Sequence, residues 1–190
     1  VRLRNAIKLL PEDIEVEVEW LPYELNPLMP PQGIARNVYR TGKFGTLEKG
    51  RALDAQTIAA SKDDGVVFNY DKMFKTPNSF NAHCLSSLAA REGKQCAIVD
   101  GLKGYFVEGR DIGDTQELVE IAVAAGLERE RARHFLEKKV GERDVRAQLA
   151  SARTAGVQAV PYFDIEGVII VGAQGSNELR DALVAAHERK

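Results

Sequence analysis

The side chains with the most intrinsic chemistry in this 190-residue chain are few: two cysteines, Cys84 and Cys96, and three histidines, His83, His134 and His187. The cysteines are too few and too widely spaced for a disulfide framework or a Cys-rich zinc site, so each is read as a free thiol. No two histidines have the i, i+3 or i, i+4 spacing that puts ligands on one helical face, and no metal is expected. A different kind of chemistry attaches to Pro161. It opens the run Tyr162, Phe163, Ile165, which is followed by Glu166-Gly167 and then Val168 to Val171. That reads as a β-hairpin with a proline at its mouth. A proline there donates no ladder hydrogen bond; it caps an edge, bends the chain or occupies a cis peptide. The residues alone leave open whether Pro161 does more than start a strand.

The elements that must position these groups are legible from periodicity and caps. Residues 1–10 place Leu3, Ala6, Ile7 and Leu10 on one helical face, with no capping residue ahead of them. After Pro11, Ile14 to Leu21 alternates apolar and acidic residues with period two, the strongest strand signal in the chain. Pro22 to Gly33 is a proline-rich loop. A long helical middle follows. One helix is expected to run through Leu47, Leu53 and Ile58 to about Lys62, a second buries Ala82, Leu85, Leu88 and Ala89, and a third covers Ala97 to Gly109, weakened by Gly101 and Gly104. Asp114 with Glu117 reads as a capping box before a helix that stops at Gly126. A short charged helix facing water, then a helix from Glu142 to Ala155, lead to the hairpin. The last helix turns Leu179, Leu183 and Ala186 inward. With the helical block set aside, the order is αβ-αββα, a thioredoxin fold lacking its first strand.

Composition sets the outer bounds. The chain has 26 Lys and Arg against 28 Asp and Glu, a net charge of −2 with neither sign in a long block, so no nucleic-acid partner is implied. No apolar run approaches the roughly 20 residues that span a bilayer, and no membrane partner is implied either. The 44% hydrophobic content is enough for a real core.

Four stretches in order carry a resemblance: "WLPYELNP" (Trp20 to Pro27), "PNSFNAH" (Pro77 to His83), "YFVEGRDIGD" (Tyr105 to Asp114) and "GVQAVPYF" (Gly156 to Phe163). They resemble the DsbA-like thioredoxin superfamily and, within it, the FrnE-type thiol–disulfide oxidoreductases, over nearly the whole chain. The resemblance implies an α/β, thioredoxin-like fold with a large all-helical insertion. Residues 1–33 and 140–190 would form the thioredoxin-like domain, its N-terminal strand missing, and 34–139 the insertion.

It also implies the site. Val160-Pro161 would be a cis peptide facing a Cys-Pro-Trp-Cys-type dithiol, with the Val160 backbone pairing an extended substrate, as the catalytic pair. Tyr23 and Asn26, on the loop after the expected strand, Asn78 and His83, at an insertion helix roofing the site, and Tyr162, next to Pro161, would contact substrate. Within that group His83 would bind a carboxylate of substrate or glutathione; the alternative reading is a helix cap at Asn78 and a packed His83. Arg110, Asp111 and Asp114 are expected to organise a turn and a cap, and Cys84 to be a small core residue.

Neither cysteine can supply the family's dithiol. In a thioredoxin sheet the missing strand is interior, and its loss would orphan backbone groups on both neighbours at about 1–3 kcal/mol each. The expectation is that the strand and its dithiol precede Val1 in the working protein, or come from another chain. The function expected is thiol–disulfide exchange on protein or small-molecule disulfides in the cytoplasm, with no cofactor beyond glutathione or another low-molecular-weight thiol. The alternatives are a glutathione-dependent isomerase or transferase, similar to 2-hydroxychromene-2-carboxylate isomerase and kappa-class glutathione transferase, and a non-catalytic thioredoxin-like binding module.

Overall fold

In chain order the elements are α1 (Arg2–Lys8), β1 (Ile34–Ala35), α2 (Arg36–Phe44), α3 (Leu47–Ala60), β2 (Lys75–Thr76), α4 (Phe80–Ala90), α5 (Gln95–Leu102), α6 (Gly104–Val107), α7 (Thr115–Ala124), α8 (Arg129–Glu137), α9 (Glu142–Thr154), β3 (Tyr162–Ile165), β4 (Val168–Val171) and α10 (Ser176–His187). They come from a computed structural model that describes residues 1–189.

Local sequence explains several boundaries. The Asp114 carboxylate accepts the Glu117 amide at 2.9 Å and starts α7. Only half of the expected capping box forms, because the Glu117 side chain pairs with Arg110 instead. The Glu128 carboxylate accepts the amides of Glu130 and Arg131 and starts α8 in the same way.

The core lies among the helices of the middle. Leu85 and Leu88 of α4, Ile98 of α5, Leu118 and Ile121 of α7, Phe135 of α8 and Val145 of α9 share one buried cluster. Burying each of the large side chains contributes about 1.5–3 kcal/mol. α8 therefore differs from the water-facing helix expected, since Ala132, Phe135 and Leu136 are all buried. Cys84 belongs to this cluster as well.

β3 and β4 form an antiparallel hairpin with Tyr162 opposite Val171 and Ile165 opposite Val168. Its turn is Glu166-Gly167, both at positive φ (51° and 83°), a pairing that matches the twist of the strands. The Asp164 carboxylate fastens the turn by accepting the Gly167 amide at 2.8 Å. α10 packs on β3 and α1 packs on α10, with Ala6 and Leu179 fully buried.

Three expectations need correction. Ile14 to Leu21 keeps its alternation, with Ile14, Val16 and Val18 half-buried and Glu15, Glu17 and Glu19 exposed, but it is not a strand. Periodicity records which side chains are covered; a strand also requires a backbone ladder, and no strand among the described residues pairs with this one. Trp20 finds a substitute, donating its amide to the Gln95 side chain at 3.0 Å and accepting from it at 2.8 Å.

The third helix is two, α5 and α6, broken at Lys103 between Gly101 and Gly104. Gly101 has a packing reason: a Cβ there would lie 2.7 Å from the Ile121 side chain of α7. Finally, β1 pairs antiparallel with β2 as a two-residue ladder within the 34–139 insertion, which is expected to be all helical.

Candidate functional site

Gly156, at φ 80°, ends α9, and the Val157 amide bonds back to Ala152 at 3.0 Å. Residues 158–160 make no backbone–backbone hydrogen bond among the described residues. The Val160–Pro161 peptide is cis, and Val160 is 41% exposed. The Pro161 carbonyl is taken by the Gly172 amide at 2.8 Å, which extends the β3–β4 ladder by one step. Neither the amide nor the carbonyl of Val160 has a hydrogen-bond partner among the described residues. Among the described residues β3 pairs with β4 alone. The loop therefore presents an unpaired amide and carbonyl at Val160, which an extended chain can join in β fashion.

Two of the sequence-predicted residues reach this loop in series. The Tyr23 hydroxyl donates to the Val157 carbonyl at 3.2 Å, and the His83 ring is hydrogen-bonded to the Tyr23 backbone. Burial pushes the His83 imidazole down to about 4, with the Tyr23 bond opposing the shift. His83 is therefore neutral at physiological pH and offers hydrogen bonds in place of the charge a carboxylate would need. Its Nε2 also lies 3.4 Å from the Ser79 hydroxyl.

Asn26 and Asn78 hold the loop of residues 22–33. Asn26 accepts the Tyr39 hydroxyl from α2 at 2.5 Å. Asn78 is engaged at both ends: its amide donates to the Met29 carbonyl at 2.7 Å and its oxygen accepts the Phe80 amide at 2.9 Å at the start of α4. Tyr162 is half-buried at the first position of β3.

The motif "YFVEGRDIGD" is architectural. Gly109 has φ 76° and sits where a Cβ would be 2.2 Å from the Lys72 carbonyl. The Asp111 carboxylate accepts the Gly113 amide at 3.0 Å and also pairs with Lys75. The Tyr105 hydroxyl donates to the Lys75 carbonyl at 3.3 Å.

Neither thiol is poised for attack at this loop. Burial and the negative charge of Glu142 push the Cys84 thiol up to about 12, and Cys96 lies exposed on α5. Glu24, beside Tyr23, has its carboxyl raised by desolvation, with Arg153 and Arg146 pulling the other way. No group of His, Cys, Asp and Glu that could hold a metal exists among the described residues.

One feature escaped the sequence. A cavity of about 240 Å³ lies between the segment Glu19 to Pro22 and helices α4, α5 and α9. Its walls include Trp20, Ser87 and Gln148, which are far apart along the chain, and no local motif marks them. A larger depression of about 310 Å³ at Asn37, Val38, Thr41, Gly42 and Leu47 carries no titratable group.

Comparison with known proteins fits this geometry. A crystal structure of a probable DsbA oxidoreductase from Streptomyces coelicolor superposes with a TM-score of 0.87 at 27% identity, covering 100% of this chain and 83% of that one. A second solved structure, from Nitrosomonas europaea, has a TM-score of 0.58 at 15% identity over 75% of each chain and shares the fold. The uncharacterized protein YwbO of Bacillus subtilis is 24% identical over 187 residues, 93% of this chain and 85% of its own. Residues 2–184 match the DSBA-like thioredoxin domain from α1 through the hairpin and into α10, and the chain belongs to that family.

Proposed function

We propose that this protein is a thiol–disulfide oxidoreductase of the DsbA type, in its FrnE-like branch, and that Val160 and Pro161 hold the substrate. The observation that carries the reading is the amide and carbonyl of Val160, a residue exposed in the cis-proline loop, which have no partner among the described residues. Unpaired backbone groups in a folded domain are costly where water cannot reach them and useful where a partner chain can.

The attacking dithiol belongs to a Cys-x-x-Cys segment ahead of α1, outside the 190 residues. Its first thiolate attacks one sulfur of the substrate disulfide, forming a mixed disulfide and releasing the other substrate sulfur as a thiolate. The second enzyme thiol then displaces the first substrate sulfur, so the substrate leaves reduced and the enzyme is oxidised. Val160 aligns the substrate backbone during both steps, Tyr23 steadies the loop through Val157, and neutral His83 supports Tyr23. No dissociable cofactor enters; a protein or small-molecule disulfide is the substrate.

Reduction of a fluorophore-labelled peptide disulfide by the natural-length protein, with a dithiol as terminal reductant, tests the reading. The rate should rise linearly with protein concentration above the uncatalysed exchange. No acceleration over the terminal reductant alone would overturn it and leave a binding module.

A further inference from the structure

We infer that Arg2 is a positioning residue: its guanidinium holds the first turn of α1 in register with the strand end that fixes Pro161, so that the dithiol meets a substrate lying along Val160. The inference rests on the oxidoreductase reading, in which the dithiol joins α1 from ahead and the cis-proline loop holds the substrate.

One side chain joins three segments. Arg2 Nε donates to both carboxylate oxygens of Asp64, at 3.0 and 2.9 Å, just past α3. Its Nη2 donates to the carbonyl of Ala60, the last residue of α3, at 2.8 Å. Its Nη1 donates to the Ala173 carbonyl at 2.7 Å, beyond the end of β4. All three nitrogens are used, each aimed by the plane of the group, and a lysine with one nitrogen cannot reproduce that geometry.

The Ala173 carbonyl is a firm anchor. Gln174 closes the turn around it, donating its amide to the Gly172 carbonyl at 2.9 Å and its side-chain nitrogen to the Val171 carbonyl at 3.0 Å. In the same turn the Gly172 amide holds the Pro161 carbonyl at 2.8 Å. Arg2 and Pro161 are thus linked by two hydrogen bonds across two adjacent residues of the turn. On the other side, the Asp64 carboxylate fixes Nε, and the carbonyl at the C-terminal end of α3 is an orphan that favours a cation. The guanidinium cannot swing away without losing these partners.

The remaining contacts of α1 do not set its register. Burial of Ala6 seats the helix on α10, but apolar contact is non-directional. Arg4, the other arginine of α1, pairs with Asp100 on α5, where the two side chains are 54% and 41% exposed against 30% and 18% for Arg2 and Asp64. Exposed pairs contribute little. Arg4 therefore serves as the control.

The test compares two single-turnover rates. The natural-length protein, with the exposed Cys96 replaced by serine, is reduced, freed of reductant and mixed with the fluorophore-labelled peptide disulfide or with dithiobis(nitrobenzoate). The second is an aromatic disulfide with no peptide backbone to lie along Val160. Arg2→Gln should slow the peptide about tenfold and the aromatic disulfide by less than about twofold, because a misplacement of about 1 Å costs up to about a hundredfold where reactants are held in alignment. Asp64→Asn, which keeps the guanidinium but loosens it, should show the same selectivity at about threefold. It decides the matter alone if Arg2→Gln does not fold. Arg2→Lys should recover only part of the loss, and Arg4→Gln should behave as wild type.

Native-state hydrogen exchange reads the same link without the dithiol. Arg2→Gln should speed exchange at the Gly172 amide more than at Leu85 in the helical cluster. Equal slowing of both disulfides, slowing of neither, full recovery in Arg2→Lys, or an unchanged Gly172 amide would overturn the inference and spare the oxidoreductase reading. Wild-type protein that exchanges with neither disulfide would overturn both.

Discussion

His83 reports on the candidate site through its proton. The unfolded ring takes up a proton near pH 6.5 and the folded ring only near pH 4. Acidification across that interval protonates the unfolded chain first, so stability present above pH 6.5 is lost as pH falls towards 4, up to about 3 kcal/mol. Urea unfolding at several pH values should show this slope in the wild type and not in His83→Gln, and an NMR titration should find the ring neutral at pH 6. The thiols make a second test. Cys96 is exposed and should react with iodoacetamide in the native protein at pH 8, whereas Cys84, buried with its thiol held near 12, should react only after denaturation. Two modified thiols without denaturant would contradict the placement of Cys84. That cysteine was legible beforehand, because a free cysteine behaves as a small apolar residue in a helix rich in Ala and Leu. The neutrality of His83 was not, because burial is set by Tyr23 and α4 meeting across the chain.

At the scale of elements, the helix starts follow from single residues. Asp114→Ala should cost about 1 kcal/mol in urea unfolding through the lost cap on the Glu117 amide. Gly109→Ala should cost more, about 2–3 kcal/mol, because it strains a left-handed backbone and drives a methyl into the Lys72 carbonyl. A smaller effect for Gly109→Ala than for Asp114→Ala would contradict the close approach. Caps, stops and the Glu166-Gly167 turn act over a few residues, so the helix limits and the hairpin could be read in advance. Ile14 to Leu21 could not, since alternation settles which faces are covered and leaves the partner strand unspecified. The β1–β2 ladder was invisible for a related reason: two residues carry no period.

Among the described residues, burial is concentrated in the helical cluster and is lower in the hairpin. Ile98 is fully buried among α4, α5 and α7, whereas Ile169 on β4 is 46% exposed. Ile98→Ala should cost about 2–5 kcal/mol, and Ile169→Ala well under half of that. Hydrogen exchange should likewise protect α4, α5 and α7 more than β3 and β4. Comparable losses at the two isoleucines would contradict this division. The family and its motifs were legible from four short stretches, but the cavity was not, because Trp20, Ser87 and Gln148 meet only in three dimensions. The central claim is that dithiol exchange is carried out against the Val160 edge. It is tested most directly by the intact mass of the natural protein, denatured and reduced, before and after exhaustive alkylation. The account predicts a mass above 20.9 kDa and two alkylated thiols in addition to Cys84 and Cys96. A mass of 20.9 kDa with only those two thiols would contradict it.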